Sequence, residues 1–235
     1  MITSRDNARV KHWAKLARDG RYRRSEKKAL IEGPHLVEAF LAAGFRPIEI
    51  IKSGETVSDA VFRSIVDVES PQGIAAEIGI PDGKEDRERD CVFLEGIQDA
   101  GNVGTIIRSA AAFGLGTVVL DAQCADPWSP KVLRAGMGGH FALSILGVKT
   151  LQDELSRFSG TVLCAVASGG QAIGNADLSG RLAWVFGSEG RGLGTSVLAE
   201  ADQRITIPID PGAESLNVAA AAAISFYEAS RVRRG

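Results

Sequence analysis

Residues 79–90 read Gly-Ile-Pro-Asp-Gly-Lys-Glu-Asp-Arg-Glu-Arg-Asp. A Pro-Asp-Gly turn is followed by seven consecutive charged residues, with no apolar side chain among them. Such a run does not enter a core and reads as a linker or a long exposed loop. It divides the 235-residue chain into pieces of about 80 and about 145 residues, both ordinary domain sizes.

Each piece mixes helix and strand signals. In the first, residues 11–18 wind as a basic helix. Pro34 opens a second helix through Ala42, ended at Gly44. Residues 47–51 and 73–78 read as short strands, which makes a small α/β unit. In the second, apolar strand-like runs occupy 91–94, 117–120, 161–166, 182–186 and 205–209. Between them lie helices over 102–113, capped by Asn102, over 131–135, opened by Ser129-Pro130, and over 216–231. Strands alternating with helices predict an α/β fold whose mainly parallel sheet is covered on both faces.

Charge is unevenly spread. The net charge is −2, yet residues 1–28 hold ten Lys or Arg against three acids, a net of +7. A basic arm on a mildly acidic body suits a nucleic-acid partner. Arg5, Arg9, Lys11, Arg23 and Arg24 are the candidate nucleic-acid contacts, and the interleaved Trp13 and Tyr22 offer rings for base stacking. No apolar run approaches the roughly 20 residues of a membrane span. The charged opening lacks the apolar core of a signal peptide, so a cytoplasmic protein is expected. Cys91, Cys124 and Cys164 are far apart, and His12, His35 and His140 form no local pattern, so no metal is expected.

The glycines do not form a dinucleotide fingerprint, a phosphate-binding P-loop or a nucleophile elbow. They gather in three other places. Gly101-Asn102-Val103-Gly104 follows a strand and opens a helix that carries Arg108 among Ile, Ala and Phe. A buried-leaning arginine there needs an anion, such as a phosphate or a carboxylate. Gly187-Ser188-Glu189-Gly190-Arg191-Gly192 directly follows a buried strand, where the backbone can approach a ligand closely. Ile207-Pro208-Ile209-Asp210-Pro211-Gly212 forces an irregular loop, after which Ser215 and Asn217 offer polar groups at a helix start. The residues by themselves describe a small-ligand pocket beside an anion site.

In this order and spacing, the three segments resemble the motifs of the SpoU, or TrmH-type, family of the SPOUT superfamily. The matches are N-x-G-x-x-x-R at 102–108, G-S-E-G-x-G at 187–192, and I-P with S-L-N-V-A at 207–219. Residues 129–138 also resemble the family, and the opening Ile2-Thr3-Ser4 with Asn7, Val10 and Lys11 is similar to the RNA-binding domain that often precedes it. That domain is related in fold to a small ribosomal protein. The resemblance implies an RNA-binding domain over 1–80, a linker over 81–90, and a catalytic domain over 91–235 with a deep trefoil knot. It implies methyl transfer from S-adenosylmethionine to a ribose 2′-hydroxyl, with ribosomal RNA preferred over transfer RNA. Gly187, Ser188, Gly190, Ile207, Pro208 and Leu216 would hold the cofactor. Arg108, Asn102, Glu189, Ser215 and Asn217 would be the catalytic set, with Arg108 clamping a phosphate and orienting the hydroxyl, since a guanidinium is a poor proton acceptor. Family members are homodimers, and the final helix, with its small residues 220–223, would pack at the interface. The alternatives are a transfer-RNA enzyme, action on a base nitrogen, or a non-catalytic RNA-binding protein of the same fold.

Overall fold

The computed structural model describes residues 1–84, 86 and 88–234. The N-terminal unit opens with α1 (Ala8–Arg18), capped by Asn7, whose side chain accepts from the Arg9 amide. Helical spacing of Val10, Trp13, Leu16 and Ala17 gives α1 its buried face. Asp19 caps α2 (Gly20–Glu26) through the amides of Arg21 and Tyr22. Then follow β1 (Lys28–Glu32), α3 (Pro34–Ala42), β2 (Glu49–Lys52), α4 (Asp59–Ile65) and β3 (Ile74–Gly79). The three strands form an antiparallel sheet in the order β1-β3-β2.

The C-terminal unit alternates strand and helix. It comprises β4 (Cys91–Glu95), α5 (Ala100–Ala112), β5 (Thr117–Leu120), α6 (Pro130–Gly136) and β6 (Ser144–Gly147). These are followed by α7 (Gln152–Leu155), β7 (Thr161–Ala165), β8 (Gln171–Ala172), β9 (Leu182–Gly187), α8 (Thr195–Leu198), β10 (Gln203–Thr206) and α9 (Val218–Arg234). All seven strands are parallel, in the order β6-β5-β4-β9-β7-β10-β8. The central strands β4, β5 and β9 are buried on both faces, which is why their sequences are continuous apolar runs. The expected α/β fold with a parallel sheet is what the chain adopts.

Two glycines set how closely the layers approach. At Gly104, in the middle of α5, an added Cβ would stand 2.4 Å from Ala135 Cβ and 2.7 Å from the Val132 carbonyl oxygen. At Gly139, in the turn after α6, it would stand 3.1 Å from Arg108 Cα. Helices α5 and α6 are therefore in backbone contact, and the first glycine motif is partly a packing motif.

One apolar cluster spans both units, beside a separate cluster within the N-terminal unit. Leu36, Val37 and Phe40 of α3 pack with the β4–α5–α6 cluster, and the Phe40 ring meets Phe141 edge-on at 5.1 Å. Beside this seam the Arg23 guanidinium, 4% exposed, donates to Asp126 at 2.7 and 2.9 Å and to the Leu16 carbonyl at 2.6 Å.

Several sequence expectations shift. Helix α5 starts at Ala100 with Asp99 as its cap, accepting from the Asn102 amide at 2.8 Å. Asn102 thus does not cap the helix, and its side chain is free for other work. The strand expected over 205–209 ends at Thr206, leaving 207–209 irregular. The charged segment is not a free linker in its described part, and Glu85 and Arg87 lie outside the described residues. The Asp86 amide donates to the Thr117 hydroxyl oxygen, and its carbonyl accepts from the Arg181 guanidinium. Asp90 is buried, accepting from the Leu182 amide and pairing with Arg233 at 2.7 Å, so it ties α9 back to the sheet.

Candidate active site

Strand β4 has β5 on one side and β9 on the other, and the chain runs outward from it in both directions. Open parallel sheets bind ligands at the carboxyl edge of such a switch point. The loops that emerge there are 96–99 after β4 and 188–193 after β9.

The loop after β9 is a closed hairpin. Gly187 admits no side chain, because a Cβ would lie 2.3 Å from the Gly192 carbonyl carbon and oxygen. Gly192 adopts φ +66° and its amide donates to the Ser188 carbonyl at 2.8 Å. Glu95, at the end of β4, accepts from the Gly194 amide at 2.7 Å and fixes the hairpin's far side. The result holds Glu189 out at the edge of the sheet.

Asn102 donates to the Glu189 carboxylate through Nδ2. Asn217 Nδ2 in turn donates to Asn102 Oδ1 at 3.0 Å. The Asn217 side-chain oxygen simultaneously accepts from the Ala219 and Ala220 amides at 2.9 and 3.2 Å, so this residue caps α9. One residue from each glycine segment is therefore joined in a single hydrogen-bonded chain, although the three are 87 and 115 positions apart along the sequence.

Beside that chain is a cavity of about 360 Å³, entered from the carboxyl edge of β7, β9 and β10. Gly187, Ser188, Ile207 and Leu216 line it, as do Glu189 and Ser215. Gly190 and Pro208 do not; both face outward. Sequence reasoning missed the wall formed by Ala165, Val166 and Ala167 after β7, and the face of α9 carrying Val218, Ala221 and Ser225. The Gly169-Gly170 pair just after a buried strand was the available signal for the first. No comparable signal marks the second.

Arg108 departs from its expected environment. It is exposed on α5 rather than partly buried, and forms no hydrogen bond or ion pair among the described residues. The anion partner inferred from burial is thus not found among the described residues, and the guanidinium is available to an outside ligand.

The basic arm is only partly a free surface. Arg23 is corrected outright, since its guanidinium is consumed by Asp126 and Leu16 at the seam between the units. Trp13 is likewise buried, donating to Glu77 at 2.9 Å, and is not available for base stacking. Burial pushes the Glu77 carboxyl up, but hydrogen bonds from Lys28, Trp13 and His12 outweigh it and leave it lowered. Arg9 pairs with Glu49 and Lys11 with Asp6 at 3.0 Å, both at the surface. Such exposed pairs are weak enough to exchange for a phosphate. Arg5 and Arg24 are exposed, and Arg5 makes a long 3.5 Å contact to the Ala60 carbonyl. Burial pushes the thiols of Cys124 and Cys164 up to about 12, which leaves them as small hydrophobes. Among the described residues no three His, Cys, Asp or Glu side chains gather as a metal group, and no helix is long and apolar enough to cross a membrane.

Comparison with known proteins decides the family. Residues 90–227 match the SpoU rRNA Methylase family, and residues 7–56 match an MRM3-like substrate binding domain. The chain belongs to the SpoU family. It is 34% identical to the 23S rRNA (guanosine(2553)-2′-O)-methyltransferase RlmP of Bacillus subtilis, over 96% of this chain and 97% of that one. It is 27% identical to the human mitochondrial rRNA methyltransferase 3, over 91% of this chain and 70% of that protein. The AdoMet-bound rRNA methyltransferase of Sinorhizobium meliloti superposes with a TM-score of 0.87 at 27% identity, covering 98% and 97% of the two chains. SpoU membership accounts for the absence of a dinucleotide fingerprint, because here the pocket is built from loops after β7, β9 and β10 rather than after the first strand.

Proposed function

We propose that this protein transfers a methyl group from S-adenosylmethionine to a ribose 2′-hydroxyl of structured RNA, with ribosomal RNA the preferred substrate. The observation that carries this reading is a small-molecule cavity whose mouth is joined to the Asn217–Asn102–Glu189 chain. The names of the bacterial and mitochondrial relatives support the ribosomal substrate.

The cavity fits the cofactor's chemistry. Its walls are apolar at Ala165, Val166, Phe186, Ile205 and Val218, while Ser188, Glu189, Arg191 and Ser215 make its mouth polar. A buried hydroxyl without a protein partner, that of Ser225, stands on the wall. Gly187, Ser188, Ile207 and Leu216 would hold the cofactor, with Gly190 and Pro208 acting only by shaping the loops that carry them. When bound, the cofactor supplies a methyl group on a cationic sulfur.

The chain's own residues supply binding and orientation. Glu189, fixed by Asn102, keeps negative potential at the mouth, where it favours a cationic ligand. Arg108 clamps an RNA phosphate and orients the neighbouring 2′-hydroxyl. Asn102 and Ser215 offer hydrogen bonds to the ribose edge, and Asn217 holds Asn102 in place. Much of the acceleration comes from this alignment. Residues 1–80 bind the RNA through Arg5, Arg9, Lys11 and Arg24, 81–90 connect, and 91–235 form the knotted catalytic domain.

The working unit is a cytoplasmic homodimer. The solvent face of α5 shows Gly101, Thr105 and Arg108, and that of the neighbouring α9 shows Ala220, Ile224 and Tyr227. Small and apolar residues on two adjoining helices suit a self-complementary interface. Arg108 lies within that face, so dimerisation brings it beside a second chain. Replacing Arg108 by alanine tests the reading. Calorimetry should show cofactor affinity unchanged, while labelled methyl transfer to ribosomal RNA is lost; a fully active variant sinks the assignment.

A further inference from the structure

The helix α9 presents Val218, Ala221 and Ser225 to the cavity, on one helical face. Ser225 is 1% exposed, and its Oγ has no hydrogen-bond partner. Buried hydroxyls are nearly always paired, so an orphan asks for an explanation. A serine inside a helix ordinarily satisfies itself on the carbonyl one turn back. Here that carbonyl belongs to Ala221, and the bond is not made.

The surroundings narrow what could pair with it. Around Ser225 the wall is apolar, with Ala165, Val166, Phe186 and Ile205 facing α9. The other polar side chains of the lining stand at the mouth and are half-buried or exposed. Ser225 therefore puts one donor where solvent does not reach. A ligand that fills this depth must be flat or apolar over most of its surface and carry an acceptor at its edge.

We propose that Ser225 donates its hydroxyl to a ring nitrogen of the cofactor's adenine. This rests on the reading of the cavity as the S-adenosylmethionine site. The methionine end of that molecule bears an amino group and a carboxylate, which suit the polar mouth. The adenine has apolar faces and an edge of acceptor nitrogens. Enclosed by alanine, valine and isoleucine, a ring nitrogen would lose its water without replacement. One bond to Ser225 satisfies both orphaned groups. Ser225 would then discriminate between a purine and an isostere that lacks the acceptor, since such an isostere leaves the hydroxyl unpaired.

The test is calorimetry on the full-length protein. Ser225→Ala should weaken S-adenosylmethionine and S-adenosylhomocysteine by roughly three- to tenfold, the range for one neutral hydrogen bond. The ligand-free thermal midpoint of the variant should equal or exceed that of the wild type, because the hydroxyl removed has no partner in the protein. The 1-, 3- and 7-deaza analogues of S-adenosylhomocysteine then identify the ring position. At one of them the wild type should lose as much affinity as Ser225→Ala does with the natural ligand, and combining the two changes should add nothing further. Unchanged binding by Ser225→Ala, additive losses with all three analogues, or a clear drop in the ligand-free midpoint would each overturn the proposal. Failure of the wild type to bind S-adenosylmethionine would instead overturn the cofactor reading beneath it.

Discussion

Gly104→Ala is the substitution through which packing and chemistry meet. The added Cβ would lie 2.4 Å from Ala135 Cβ, 2.7 Å from the Val132 carbonyl oxygen and 3.0 Å from the Gly136 amide nitrogen. Carbon atoms in contact stand about 3.5–4.0 Å apart, so α5 and α6 must part by about 1–1.5 Å. Two of the three neighbours are backbone atoms, and no rotamer change relieves them. Overpacking of this kind costs about 1–3 kcal/mol, against about 1 kcal/mol that alanine returns in helix propensity. A net loss of about 0–2 kcal/mol follows. Asn102 sits on the first turn of the displaced helix, bonded to Glu189 on one side and Asn217 on the other. A shift of about 1 Å breaks this chain and should lower methyl transfer by roughly tenfold or more. Cofactor affinity should fall less than methyl transfer, because Gly104 does not line the cavity and only the Asn102 anchor of Glu189 at its mouth is loosened. Urea unfolding, calorimetry and labelled methyl transfer measure the three quantities. Wild-type stability together with wild-type activity would refute the claim that the α5–α6 contact positions the site.

Two further outcomes concern the frame. Burial pushes the His140 imidazole down to about 4, while its Nε2 holds the Pro127 carbonyl at 2.8 Å. The unfolded chain takes up that proton near pH 6.5, so the contribution is complete above about pH 6.5 and is lost toward pH 4, by about 3 kcal/mol. Urea midpoints of wild type should therefore fall more between pH 7 and 4.5 than those of His140→Gln, and equal falls would contradict the assignment. Arg23→Ala leaves Asp126 unpaired in a mostly buried position, and removal of one partner of such a pair costs about 3 kcal/mol. Thermal unfolding without RNA should show that loss; an unaltered midpoint would return Arg23 to the RNA-binding surface.

What could be read from sequence followed from how locally each feature is determined. Strand β5 was legible residue for residue, because a strand buried on both faces is an unbroken apolar run. Strand β1, whose Lys28 and Glu32 flank only three buried residues, was hidden behind the basic arm. Asp99 and Asn102 are both competent helix caps, and the choice between them is tertiary: Asn102 is drawn to Glu189. Arg23 looked like its basic neighbours because its partner, Asp126, is 103 positions away. In the cavity, the glycine hairpin at 187–192 announced itself by composition. Ala165–Ala167 carry no chemistry of their own, and Ser225 looked like any serine in an alanine-rich helix. The apolar neighbours of Arg108 point to a partly buried setting, yet its position on the helix turns it to solvent with Thr105.

The central claim is methyl transfer to a ribose. It is tested most directly by incubating the protein with ribosomal RNA and methyl-labelled S-adenosylmethionine, digesting the product, and locating the label by mass spectrometry. The account predicts label confined to a 2′-O-methylated nucleotide, with none transferred when that 2′-hydroxyl is already methylated. Label on a base, or transfer that persists on 2′-O-blocked RNA, would contradict it.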